Sequence, residues 1–317
     1  MTIEAGMARS PLHRVQAALA ARRYFIAQRT KLQIADELGI SRFKVARLID
    51  AAVREGIIEF KINEPDNLNT ELADTIRRTF GLRSALVLEG SDLPASLVTE
   101  PLGSLAAQYL EETLVDGQVL GIAWGRTLAA AARALGQLPK VDVVQAGGTP
   151  AEVAFSQNPV EIVHNVARRG GGKAFPIYGP MWAEDPMLIE RLRQEPTISA
   201  ALARYDRIDV LVTGIGAWPA ESGLAHGFPK HWREVALADA VTADVCATLV
   251  DVDGAEVNSP LGNQGICIST AQLRCIPEVV GVAGGAEKIE AIRSVLRGGW
   301  ISVLITDAGT ARGLLRR

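Results

Sequence analysis

The chain has 317 residues, 48% of them hydrophobic and 22% charged, which makes it globular, with room for one large domain and a small one beside it. No apolar run is long enough to cross a bilayer, and the opening MTIEAGMARSP lacks the apolar centre of a signal peptide, so a cytoplasmic protein without a membrane partner is expected. The net charge of −3 conceals an asymmetry. Residues 1–62 carry 11 Lys+Arg against 6 Asp+Glu, and the remainder 22 against 30, so a basic head sits on an acidic body.

Ser10-Pro11 opens the first helix, a capping hydroxyl followed by proline in the first turn. Leu12, Val15, Leu19 and Ile26 are expected to pack it behind the next two helices. These lie in KLQIADELGISRFKVARLIDAAVREG, residues 31–56. Ala35 allows close approach, Gly39 supplies the turn, and Ser41 caps the second helix. Ile34, Leu38, Val45, Leu48 and Ile49 fall on the inner faces, and Arg42, Phe43, Lys44 and Arg47 face outward. This is a helix-turn-helix with a cationic outer face, the arrangement that enters a major groove. The segment IIEFKIN that follows reads as one arm of a small β wing, with Lys61 a phosphate candidate. Residues 63–67, Asn-Glu-Pro-Asp-Asn, break helix and strand patterns alike. The boundary falls there, giving domains 1–63 and 64–317.

A helix is expected from Thr70 to Phe80, with Leu72, Ile76 and Phe80 on one face. From there one pattern recurs: an apolar run, a glycine-containing or polar turn, then a helix. The runs are SALVLEG, VLGIAWGRT, VDVVQAGGT, IDVLVTGIG, EVVGVAGG and ISVLITDAGT. They are the signature of βα units in an open α/β sheet covered by helices. LVDVDGAEV reads as a hairpin turning at Asp253-Gly254.

Ligands of such sheets bind beyond the carboxyl ends of the strands. The residues expected there are Gly125, Arg126 and Thr127, which open a helix suited to an anion, then the loops Gly147-Gly148-Thr149 and Gly214-Ile215-Gly216. Lys288 is a candidate for a phosphate or carboxylate, and Asp307 for sugar hydroxyls. No GxGxxG, Walker A or GxSxG pattern is present, so no nucleotide cofactor is expected. Cys246, Cys267 and Cys275 form no CxxC pair, and His13, His164, His226 and His231 form no HExxH-type pair, so the thiols are expected reduced and no metal is expected.

Taken in order, the helix-turn-helix, GIAWGRT, VVQAGG, DVLVTGIG, DVCATLVDVDGAEV and the segment from ISTAQLRC to ISVLITD resemble the SorC family of bacterial sugar-responsive transcriptional regulators, over about residues 12–315. The resemblance implies a DNA-binding head and a larger effector-binding body similar in fold to phosphosugar isomerases. It implies a sugar or sugar-phosphate effector, and dimers or tetramers on operators. Carried over by motif, the pocket draws on Gly125, Arg126, Thr127, Gly147, Gly148, Thr149, the Gly214–Gly216 loop, Asp244, Lys288 and Asp307. Ala146 stands before Gly147, which excludes a covalent amine–aldehyde contact from that position. The expectation is therefore a non-enzymatic repressor-type regulator without cofactors. Ser41, Arg42, Phe43, Lys44 and Arg47 read an inverted-repeat DNA operator, with Arg29 and Lys31 on phosphates. The rival is a phosphosugar isomerase or lactonase-like enzyme with an accessory helical domain. The attached head and the lack of a histidine poised near these loops argue against it.

Overall fold

The computed structural model describes residues 10–59, 67–90, 95–150, 157–219 and 223–316. The chain divides into two compact units, residues 1–63 and 64–317.

The first unit is helical. α1 (Pro11–Ala21) starts at Ser10, whose hydroxyl accepts the His13 N–H, and continues into a π-helical turn over Arg22–Ile26. α2 (Lys31–Leu38) opens with a capping box. The Thr30 hydroxyl accepts the Gln33 N–H at 3.3 Å, and the Gln33 carbonyl oxygen accepts the Thr30 N–H at 3.0 Å. It ends at Gly39, which adopts φ 64°, a conformation a side chain would strain. α3 (Arg42–Arg54) starts at Ser41, whose hydroxyl accepts the Lys44 N–H at 3.2 Å. Ile34, Ala35, Val45, Leu48 and Ile49 are buried between the helices, with Leu38 packed against them, as the spacing predicted.

Two expectations for this unit are corrected. α1 docks on α3 through Ala17, Ala20 and Ala21, each fully buried, while Leu12, Val15, Leu19 and Ile26 are exposed. Small side chains win the contact because they let the two helix backbones approach. The strand expected over 57–63 does not form over its described part. Ile57 and Ile58 instead turn back, and both donate N–H bonds to the Ala52 carbonyl. Residues 60–63, including Lys61, lie outside the described residues.

The second unit is α/β. In chain order its elements are α4 (Thr70–Phe80), β1 (Ser84–Leu88), α5 (Ala95–Thr113), β2 (Val119–Ile122), α6 (Arg126–Ala134), β3 (Asp142–Gln145), α7 (Pro159–Gly170), β4 (Ala174–Phe175), α8 (Pro186–Gln194) and α9 (Pro196–Leu202). There follow β5 (Val210–Ala217), α10 (Gly223–Gly227), α11 (Lys230–Ala238), β6 (Val241–Val245), β7 (Thr248–Asp251), β8 (Glu256–Val257), α12 (Leu261–Gln264), α13 (Thr270–Cys275), β9 (Glu278–Val282), α14 (Ile289–Arg297), β10 (Val303–Asp307) and α15 (Ala308–Leu315). Seven strands run parallel in the order β1-β10-β9-β5-β2-β3-β4. Every residue of β2, β9 and β10 is buried. Successive side chains point to opposite faces, so both faces of the sheet are covered.

From β2 the chain winds outward through β3 and β4; from β5 it winds the other way through β9 and β10. The order reverses between β2 and β5, which makes their carboxyl ends the place for a ligand. β5 was expected to end in a turn at Gly214–Gly216. It instead runs on to Ala217 and leaves the parallel sheet to pair antiparallel with β6, pairing Gly216 with Asp244. β6, β7 and β8 continue that antiparallel extension, and the β7–β8 hairpin turns at Asp253-Gly254 as predicted.

Candidate functional site

A cavity of about 490 Å³ opens where the strand order reverses. The segment after β2 supplies Trp124, Gly125, Arg126 and Thr127, and the end of β5 supplies Thr213 to Gly216. β6 adds Asp244 and the turn after it Cys246, the segment after β9 adds Gly284 and Lys288, and α10 adds His226. Thus Gly125, Arg126, Thr127, Gly214, Gly216, Asp244 and Lys288 of the expected set meet around one space.

The chemistry is polar and mixed in charge. Gly125 precedes α6 with φ 128° and no side chain caps the helix, so its first-turn N–H groups and positive dipole end lie beside Arg126 and Thr127. Lys288 reaches in from the turn before α14 and donates through Nζ to the Ile215 carbonyl at 2.8 Å. Asp244 accepts from the Trp218 indole N–H at 2.9 Å. Gly216 makes that placement possible, since a Cβ there would lie 2.0 Å from the Asp244 carboxylate. Cations and a dipole end hold an anion, and a buried carboxylate accepts hydrogen bonds from hydroxyls. A small hydroxylated molecule carrying an anionic group matches this lining. Among the described residues no group of three or more His, Cys, Asp and Glu is placed to hold a metal.

Four expected residues fall elsewhere. Gly147 and Gly148 pack against Cys267 and Pro180; a Cβ on Gly148 would lie 2.3 Å from the Pro180 carbonyl oxygen, so close backbone packing explains them. Thr149 borders a neighbouring hollow with Pro180 and Trp182. Asp307 is not among the residues that line the cavity. It caps α15, accepting from the Thr310 N–H at 2.9 Å and hydroxyl at 2.6 Å, and accepts the Gly285 N–H at 3.0 Å.

The sequence reading overlooked Trp124, Trp218 and His226. Trp124 stands inside GIAWGRT and was legible as a neighbour of the glycine turn; the other two are isolated and carry no motif. His226 also removes the argument that no histidine stands near these loops. Cys246 is buried and Cys267 half-buried, and desolvation pushes the Cys246 thiol far up and the Cys267 thiol up to about 11.

In the first unit, Arg42, Phe43, Lys44 and Arg47 are all exposed on α3, and Phe43 is 80% exposed. Lys31 is half-buried, its ammonium 5.6 Å from the centroid of the Tyr24 ring. Arg29 approaches Glu37 at 4.0 Å, and Arg23 pairs with the same carboxylate at 3.1 Å.

A helix-turn-helix unit joined to an α/β unit with a polar cavity at its switch point defines a class of ligand-responsive regulators. Over residues 65–316 the chain matches the family described as "Putative sugar-binding domain", and it belongs to that family. It is similar to the sorbitol operon regulator of Klebsiella pneumoniae, 26% identical over 92% of this chain and 95% of that protein. It is 26% identical to the deoxyribonucleoside regulator of Bacillus subtilis, over 93% and 96% of the two chains. It is 29% identical to the transcriptional regulator LsrR of Escherichia coli K12, over 90% of each. The crystal structure of the full-length Klebsiella pneumoniae regulator superposes with a TM-score of 0.72 at 25% identity, covering 97% of this chain and all of that one. A regulator domain from Arthrobacter aurescens TC1 shares the fold, with a TM-score of 0.71 at 23% identity over 80% of this chain and all of that one. The chain is a transcriptional regulator and not an enzyme, and the isomerase-like rival is set aside. No helix among the described residues is long and apolar enough to cross a membrane.

Proposed function

We propose that the protein is a cytoplasmic repressor-type regulator of a carbohydrate-metabolism operon, whose affinity for its operator is set by a bound sugar, sugar phosphate or polyol. The observation that carries this reading is the cavity at the strand-order reversal, which Arg126, Lys288, the uncapped start of α6 and Asp244 line together. The cationic side suits a phosphate and the carboxylate suits hydroxyls. The names of two relatives, a sorbitol operon regulator and a deoxyribonucleoside regulator, point to the same ligand class.

Residues 1–63 are assigned to DNA and residues 64–317 to effector binding and oligomerisation. Arg42, Lys44 and Arg47 meet guanine edges or phosphates, Phe43 meets a thymine methyl, and Lys31 and Ser41 border the contact. A homodimer or homotetramer presents its heads in pairs to an inverted repeat. Effector binding shifts the oligomer between arrangements of different operator affinity.

Two measurements test this. A thermal-shift screen against phosphorylated and unphosphorylated sugars and polyols is expected to raise the melting temperature with at least one phosphorylated member, since a ligand confined to the native state stabilises it. Gel shifts on the protein's own upstream DNA are expected to show a complex that the same ligand weakens or strengthens. Equal affinity for scrambled DNA at moderate salt would sink the sequence-specific claim.

A further inference from the structure

The cavity adjoins a second space. Pro150 lines both the cavity and the neighbouring hollow. Gln157 lines the first and the next residue, Asn158, lines the second. The two spaces therefore adjoin along one segment, and their chemistry divides there. The cavity holds Arg126, Lys288, Asp244 and His226. Among the described residues none that lines the hollow is charged. Its walls are Trp182 and Tyr178, with Asn158, Val160 and Met181 beside them.

These walls are set by the fold. Trp182 is half-buried, its ring centroid 5.0 Å from that of Trp232 and 6.5 Å from that of Phe228. The segment leading to it is pinned: the Thr149 N–H donates to the Gly179 carbonyl at 2.9 Å, and the Met181 N–H to the Thr149 carbonyl at 2.8 Å. Tyr178 is exposed, its hydroxyl 3.0 Å from His164 Nε2. The Asn158 carbonyl oxygen accepts the Val160 N–H at 3.0 Å, which leaves the amide N–H groups to donate. A fixed aromatic surface with a few hydrogen-bonding groups suits an uncharged ring, not a phosphate. Size points the same way. At the ~30 Å³ that one water takes in the liquid, the cavity of about 490 Å³ holds roughly 16 waters, about as many as a hexose phosphate has non-hydrogen atoms. One phosphorylated sugar fills the charged cavity, and a longer ligand extends into the hollow.

We infer that the effector has two rings: a phosphorylated sugar in the cavity, joined by a glycosidic bond to an uncharged second sugar in the hollow. There Trp182 and Tyr178 meet the C–H surface of the second ring and Asn158 meets its hydroxyls. The inference rests on the proposed sugar-phosphate reading of the cavity and narrows its ligand class.

The test is calorimetric titration of the full-length protein. The probes are the monophosphates of trehalose, sucrose, maltose, cellobiose and lactose, each set against the hexose 6-phosphate it contains. At least one disaccharide phosphate is expected to bind tenfold or more tightly than its hexose phosphate. Tyr178→Ala removes a wall of the hollow and Val160→Trp fills its space; neither residue lines the cavity. Each variant is expected to lose at least fivefold in affinity for that disaccharide phosphate and to stay within twofold of wild type on the hexose phosphate. A panel in which no disaccharide phosphate surpasses its hexose phosphate would overturn the two-ring effector and leave the sugar-phosphate reading standing. A panel in which nothing binds would overturn both. Equal losses on the two ligands, or no loss in either variant, would remove the second ring from the hollow. Uridine 5′-phosphate bound more tightly than every disaccharide phosphate would replace the second sugar by a flat base and overturn the inference.

Discussion

Single atoms decide the cavity at Gly216. Its position opposite Asp244 leaves no room for a methyl, because a Cβ would lie 2.0 Å from one carboxylate oxygen and 2.9 Å from the other. Gly214, two residues earlier on the same strand, has its nearest neighbour for such a carbon at 4.0 Å, the Trp124 carbonyl oxygen. The two glycines look alike in TGIG and differ in function. Gly216→Ala must push the Asp244 carboxylate off the Trp218 indole N–H, which breaks a buried charge-assisted bond. The expected result is a loss of about 1–3 kcal/mol in denaturant unfolding together with a loss of effector affinity. Gly214→Ala is expected to stay within about 0.5 kcal/mol of wild type. Equal effects at both positions would show that the carboxylate is not held by the space Gly216 leaves.

At the scale of elements, Asp307 shows how a ligand candidate becomes a structural device. It ends β10 and starts α15, and its two oxygens accept bonds from Thr310 and Gly285. Asp307→Ala is expected to destabilise the second unit by about 1–2 kcal/mol, the worth of a helix cap. Asp307→Asn retains much of the cap, and neither variant is expected to alter effector affinity by more than twofold in calorimetric titrations of folded protein. A large affinity loss in the Asn variant with little change in stability would return Asp307 to the ligand. The sequence displayed most of the elements because their signals are local. Ser10-Pro11, Ser41 and Gly39 mark helix ends by hydrogen bonds and backbone angles made within four residues. The six apolar runs mark strands buried on both faces. What local signals missed has a common cause. The Gly214–Gly216 segment reads as a turn because glycine punctuates chains, yet here it extends a strand beside Asp244, a partner 28 positions on. The Leu12, Val15 and Leu19 side of α1 reads as a packing face because large apolar residues usually bury, and only the close approach of α1 to α3 shows that alanines took that role. The cavity was legible as strand ends and a helix start, but Trp218 and His226 arrive from a segment whose path no pattern announces.

At the scale of the whole molecule, two units with separate cores must exchange free energy if the chain is to act as a regulator. Linkage makes that exchange symmetrical: if the effector changes operator affinity by a factor, the operator changes effector affinity by the same factor. Couplings of this kind are typically about 1–3 kcal/mol, or roughly 5–150-fold. The effector dissociation constant measured by calorimetry with saturating operator, divided by that measured without it, should equal the ratio of operator constants with and without effector. A ligand that binds the cavity with equal affinity in both states stabilises the second unit yet moves the operator equilibrium not at all. Such a ligand would separate occupancy from signalling. Arg126→Ala and Lys288→Ala should weaken the effector constants in both measurements. Where the remaining binding is saturated, a preserved ratio shows that these side chains hold the ligand equally in the two states. A collapsed ratio with occupancy intact assigns the coupling itself to the cationic side of the cavity, and then the contact to the anionic group is the one whose strength differs between the arrangements.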